Sequence, residues 1–116
     1  MSRSHIHGTK RNSVKAFNQG PAFIITVDGQ DVGYYKIESR KDCLYLADIQ
    51  VLPEHQGQGI GTRLIEVLKD RAVLEAKAIR LRVLKENPAS QLYQRLGFIL
   101  IEQISDEFHF AMEWSP

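Results

Sequence analysis

Residues 53–70 read PEHQGQGIGTRLIEVLKD, and this stretch constrains the fold more than any other. Just upstream, CLYLADIQV (43–51) alternates and is rich in strand-forming residues. Pro53 stops that strand, because proline has no N–H to give to a sheet ladder. Downstream, Ile60, Leu64, Val67, Leu68 and Ala72 recur at steps of three and four, with Arg63, Glu66, Lys69 and Asp70 between them. That spacing predicts an amphipathic helix over 60–76. A strand therefore passes into a helix through a loop holding Gly57, Gly59 and Gly61. The start of a helix leaves backbone N–H groups without partners and carries partial positive charge. Glycine removes the Cβ that would hold an anion away from those groups. The loop is read as a cradle for a ligand carrying phosphate, against the plainer alternative of a ligand-free turn. Each such contact is worth only about 0.3–1 kcal/mol, so several donors must converge.

The flanking segments can be read in the same way. FIITV (23–27) and VGYYKIE (32–38) lie on either side of Asp28-Gly29, a tight-hairpin signal. A polar turn, SRKD (39–42), leads into 43–51, so three antiparallel strands are predicted. AIRLRVL (78–84) alternates again and reads as a strand. Asn87 as N-cap and Pro88 as first helical residue open a second helix. That helix carries Ala89, Leu92, Tyr93 and Leu96 inward and stops at Gly97. FILIEQI (98–104) and EFHFAMEW (107–114) read as two last strands about a Ser105-Asp106 turn. The fold class is α/β (α+β): a single mixed, mostly antiparallel sheet with packed helices, ordered β-β-β-α-β-α-β-β.

Residues 1–20 read as a basic, weakly structured segment, and 21–116 as the folded domain. Arg3, Lys10, Arg11 and Lys15 all precede the first acid, Asp28, and a helix over 10–18 is only weakly signalled. His5 and His7 lack a third ligand nearby, so no metal site is expected. The whole chain, 116 residues, is the size of one domain. With 15 Lys and Arg against 14 Asp and Glu, its charge argues for neither nucleic acid nor an anionic membrane. No apolar run approaches the roughly eighteen residues of a membrane span, and the first residues lack the apolar core of a secretory signal. The one cysteine, Cys43, has no partner for an internal disulfide, which fits a cytoplasmic setting.

Gly61 is followed by Thr62-Arg63 rather than Lys-Ser/Thr, so this is no P-loop, and G-x-G-x-G is no dinucleotide fingerprint. Q-x-x-G-x-G at 56–61 after a strand ending V-L-P, followed by NPASQLYQRLGF at 87–98, resembles the GCN5-related N-acetyltransferase (GNAT) superfamily. The resemblance covers residues 22 to 114. It implies that acetyl-coenzyme A lies in a V-shaped opening between the parallel strands 43–51 and 78–84. The pyrophosphate would rest on the amides of Gln56, Gly57, Gln58, Gly59, Ile60 and Gly61, with Thr62 at the next turn. The pantetheine arm would pair with Ile49, Gln50 and Val51, Asn87 would contact it, and Ser90 and Tyr93 would flank it.

The implied reaction is direct acetyl transfer to a primary amine, on a small molecule or a peptide. The Val51 N–H would support the oxyanion, and Tyr93 would protonate the leaving sulfur. Taken alone, Tyr93 is as well explained as a core aromatic. The alternatives are a non-catalytic acyl-coenzyme A binding module and a fold-only interaction domain. The general base stays unassigned. The glutamate position of some relatives is Arg82 here, and Asp48, sharing a face with Gln50, is a candidate only. His55 reads as a surface residue beside the loop, and His109 as a packed histidine or an acceptor-pocket residue. Against the family's usual front, a strand and one or two helices, only about twenty weakly structured residues are expected here before the second strand. That allows an unusually open acceptor cleft, a second subunit that completes it, or a natural truncation with altered activity. A homodimer is the expectation preferred, because an uncovered sheet edge and apolar face should seek a partner.

Overall fold

The computed structural model describes residues 14–20 and 22–116. Among them seven strands form one sheet: β1 (Val14–Gln19), β2 (Ala22–Val27), β3 (Gln30–Ser39), β4 (Cys43–Val51), β5 (Ala78–Leu84), β6 (Ile99–Leu100) and β7 (His109–Trp114). Their order across the sheet is β1-β2-β3-β4-β5-β7-β6. Two helices, α1 (Ile60–Glu75) and α2 (Ala89–Arg95), complete it. Every pairing is antiparallel except β4 with β5.

Asp28 and Gly29 make the predicted two-residue turn, with φ 52° and 82° and Val27 facing Gln30. Three elements differ from the sequence reading. β1 replaces the weakly structured end: it pairs with β2 from Val14↔Val27 to Gln19↔Ala22, and Val14 and Ala16 are buried. Two inward residues on a short polar segment were too little for a period-two signal. Residues 10–13, His5 and His7 lie outside the described residues. The strand expected over 98–104 is only two residues long, and Glu102–Ile104 is a single 3-10 turn. Ser105 takes over there, donating its hydroxyl to the Ile101 carbonyl and accepting the Ala111 N–H. α2 begins at Ala89, one residue late, with Pro88 as its cap. Asn87 still serves the helix start, its Oδ1 accepting the Ala89 N–H at 2.9 Å.

The connections β4-α1-β5 and β5-α2-β6 step the same way across the sheet. Crossovers between parallel strands are right-handed, so both helices lie on one face. The Lys69 ammonium, on α1, donates to the Leu96 carbonyl at the end of α2. The core lies beneath them, with Leu44, Leu46, Ile79, Leu81 and Met112 packed against Leu64, Ile65 and Leu68. Leu64 and Ile65 are fully buried, each contributing about 1.5–3 kcal/mol.

The opposite face corrects the expectation of an apolar surface. Alternation sends Tyr34, Lys36, Glu38, Asp48, Gln50, Arg80, Arg82 and Glu113 to it. Arg80 and Glu113 pair there at 2.6 Å. A sheet of this kind can leave one face in water, so that ground for a homodimer falls and only the sheet edge remains.

The fold's main functional consequence is at β4. Its ladder with β5 joins Cys43–Leu46 to Ala78–Leu81 and then stops. Lys36 faces Asp48 while Ile37 faces Leu46, so Ala47 is an extra residue. Such a bulge bends its strand. Residues 48–51 turn away from β5 and leave a fork, the opening expected between the two parallel strands.

Candidate functional site

A cleft of about 560 Å³ opens at the fork, on the helix side. Ile49, Gln50 and Val51 of β4 form one wall. The Leu52 N–H bonds the Val32 carbonyl at 2.8 Å, on the β3 side. N–H groups alternate along a strand, so the Val51 N–H points the other way, into the fork. The β3 side is held close by Gly33, where a Cβ would stand 2.1 Å from the Gln50 carbonyl oxygen. Only glycine permits that approach, and no sequence pattern marks it.

Gln56, Gly57, Gly59, Ile60, Gly61 and Thr62 form the floor. Gly57 and Gly59 have φ 78° and 80°, and nothing lies within 4 Å of where their Cβ atoms would be. The left-handed backbone selects glycine, and the space above the loop is clear. Gly61 is different: it is helical, and a Cβ there would meet Leu92 at an ordinary 3.6 Å. Gln56 straps the loop to β4, its Nε2 donating to the Val51 carbonyl at 2.9 Å. Gly59 caps α1 with no side-chain hydrogen bond, and the first turn holds no acid. The opening N–H groups of α1 therefore face the cleft without a side-chain acceptor, at the positive end of a sixteen-residue dipole.

Asn87 and Tyr93 close the far wall together with Pro88, Ala89, Leu92 and Arg95. Tyr93 is 5% exposed, its ring tilted against Phe98 at 5.7 Å between centroids. Burial pushes its phenol up, which keeps it protonated as a donor. Two expected residues are not on the wall. Gln58 is exposed at the loop tip, and Ser90 is buried within α2. Arg95 was not foreseen, although its i+3 spacing from Leu92 puts both on one helix face. His55 does line the cleft, and its Nε2 is buried with no hydrogen-bond partner among the described residues.

The remaining candidates lie elsewhere. Arg82 clamps the β6–β7 connection, donating to Asp106 Oδ2 at 3.1 Å and to the Ile104 carbonyl at 2.7 Å. His109 is a hydrogen-bonded histidine, its Nδ1 3.2 Å from Asp106, and does not line the cleft. Asp48, on the opposite face, accepts the Tyr34 hydroxyl at 2.9 Å and Gln50 Nε2 at 3.3 Å. The first bond pushes the Tyr34 phenol up. Among the described residues, no group of three or more His, Cys, Asp or Glu is placed to hold a metal. No described helix is long and apolar enough to cross a membrane.

Residues 18–100 match the acetyltransferase (GNAT) domain family. Spermidine N(1)-acetyltransferase from Escherichia coli (strain K12) is 31% identical over 91 residues, spanning 74% of this chain and 49% of that protein. Thialysine N-epsilon-acetyltransferase from Bos taurus is 37% identical over 82 residues, spanning 68% of this chain and 46% of that protein. The chain thus spans about half the length of the curated relatives it matches. Among solved structures, a GNAT family acetyltransferase from Elizabethkingia anophelis with acetyl-CoA bound gives a TM-score of 0.75 at 12% identity, covering 93% of this chain and 100% of that one. At that identity the likeness concerns the fold. Backbone, forked strand and family match agree over the greater part of the sequence, and the chain belongs to the GNAT acetyltransferase domain family.

Proposed function

We propose that the protein is an N-acetyltransferase, moving an acetyl group from acetyl-CoA to a primary amine by direct attack. The observation that carries this reading is the joining of a forked strand and an uncapped helix start in one cleft. The residues fit such a donor. Acidic side chains are absent from the first turn of α1, the space over Gly57 and Gly59 is clear, and Arg95 adds a cation to the wall. The amides from Gly57 to Thr62 would hold the diphosphate, and the backbone of Ile49 and Val51 the pantetheine arm.

In the reaction the uncharged amine nitrogen bonds to the acetyl carbon, the carbon–sulfur bond breaks, and the nitrogen passes a proton to water, since no side chain is assigned as base. The Val51 N–H, aimed into the fork, supports the charge that develops on the carbonyl oxygen. Tyr93 donates its phenolic proton to the departing sulfur and regains one from solvent. Gln58 and Ser90 receive no side-chain role. The exposed edge strand β6, with Ile99 65% exposed, supports assembly with a second copy. Free, buried Cys43 is compatible with a reducing, cytoplasmic setting.

Release of free thiol from acetyl-CoA, followed across a panel of amines, tests the proposal. Amine-dependent release is the expected result. Coenzyme binding with no release for any amine would leave a non-catalytic module and overturn the catalytic reading.

A further inference from the structure

Tyr93 is held by a turn as well as by a helix. Its carbonyl accepts two N–H groups from the end of α2, that of Leu96 at 3.1 Å and that of Phe98 at 3.0 Å. Residues 93–98 are thus one hydrogen-bonded unit, and a shift of Leu96 carries Tyr93 with it. The Leu96 carbonyl lies at the helix end, where the helix itself supplies no donor. It is met from another element: the Lys69 ammonium donates to it from α1. The ammonium also lies over the Trp114 ring, 5.0 Å from the centroid. Gly97 fits into the same junction, since a Cβ there would stand 3.3 Å from Trp114 Cδ1 and 4.0 Å from Lys69 Nζ. Lys69 forms no ion pair among the described residues, so the carbonyl and the ring are what hold its charge. α1 therefore serves the cleft at two points. Its start forms part of the floor, and Lys69, about 13 Å further along the axis at about 1.5 Å per residue, grips the turn that carries the phenol.

From this junction we infer that Lys69 is a positioning residue for acetyl transfer, setting the Tyr93 phenol relative to the coenzyme that the same helix holds. Its role rests on the acetyltransferase reading with Tyr93 as proton donor, and adds the residue that keeps this donor in reach of the sulfur. Lys69 does not line the cleft, so it acts through Tyr93 alone. A proton passes only between groups within hydrogen-bond reach. A misplacement of about 1 Å can cost about 10²-fold in rate.

The test uses the full chain at saturating acetyl-CoA and amine, with thiol release measured for wild type, Lys69→Met, Tyr93→Phe and the double variant. Methionine keeps the apolar stem over Trp114 and removes the donor. Lys69→Met is expected to lower kcat by about tenfold or more, while the coenzyme Kd from calorimetry stays near wild type. In the Tyr93→Phe background the same substitution should change kcat by less than about twofold, because the group it positions is gone. Should Lys69→Met fold poorly, Lys69→Gln takes its place in the cycle, being too short to reach the carbonyl. A lysine with a structural role only would lower the melting temperature and leave kcat per folded molecule unchanged. An unchanged kcat, or equal fractional losses in both backgrounds, overturns the role of Lys69 while acetyl transfer stands. A Tyr93→Phe protein as fast as wild type overturns it as well, since no proton donor is then left to position. If the wild-type protein releases no thiol with any amine, the acetyltransferase reading fails, and the role of Lys69 with it.

Discussion

At the scale of single residues, the site depends on where a few backbone and side-chain groups point. Tyr93 is buried against Phe98, and its phenol is pushed up by that burial, so it stays protonated across neutral pH. If it supplies the proton to sulfur, Tyr93→Phe should lower thiol release by about 10²–10⁴-fold and leave coenzyme affinity unchanged, as calorimetry would show. Its raised pKa also fixes a sign: the wild-type rate should not decline through loss of this proton until the pH exceeds the ordinary tyrosine value of about 10. A core aromatic would show the reverse, a lowered melting temperature with little change in turnover per folded molecule. Tyr93 and the loop glycines were legible because their signals are local: a helix face, and glycines at a strand-to-helix junction. Gly33 was not, since its need for a bare Cα arises from the Gln50 carbonyl across the sheet. Arg95 was passed over because an arginine late in a helix looks like an ordinary solvated charge until the opposite wall is known.

At the scale of elements, strong patterns fixed their own boundaries and weak ones did not. β4 and β5 occupy the predicted residues, and α1 ends one residue earlier than its pattern suggested. β1 and β6 were misjudged because pairing with a neighbour, rather than their own sequence, defines them. The β6–β7 connection shows what replaces a ladder. Asp106 accepts the N–H groups of His109 and Phe108 and the Arg82 guanidinium, and its carboxyl is lowered to about 2, chiefly by the His109 and Phe108 N–H groups. A folded-state pKa below the unfolded value, about 3.9, means that the ionised form stabilises the fold. That contribution is complete above the unfolded value and is lost as pH falls through about 2. Asp106→Ala should therefore speed amide exchange across 102–109 at neutral pH, and the difference from wild type should vanish in strong acid. Equal exchange at neutral pH would show that Arg82 and Ser105 hold the connection without it.

At the scale of the whole molecule, one face of the sheet is packed and the other is polar. The packed face carries the cleft proposed for the coenzyme, because both crossovers put their helices there. The polar face was within reach of the sequence, since Tyr34, Lys36 and Glu38 alternate with the buried Tyr35 and the partly buried Ile37. The two faces meet at the fork, whose cause, the extra residue Ala47, is invisible until the register is known. The central claim is that the Gly57–Thr62 backbone grips a diphosphate. Backbone amide shifts of Gly57, Gly59, Ile60, Gly61 and Thr62 test it most directly, in parallel titrations with coenzyme A and with pantetheine, which lacks the phosphates. The account predicts large shifts at these amides with coenzyme A and small ones with pantetheine, while Ile49 and Val51 respond to both. Saturating coenzyme A that leaves the five amides unmoved would contradict it.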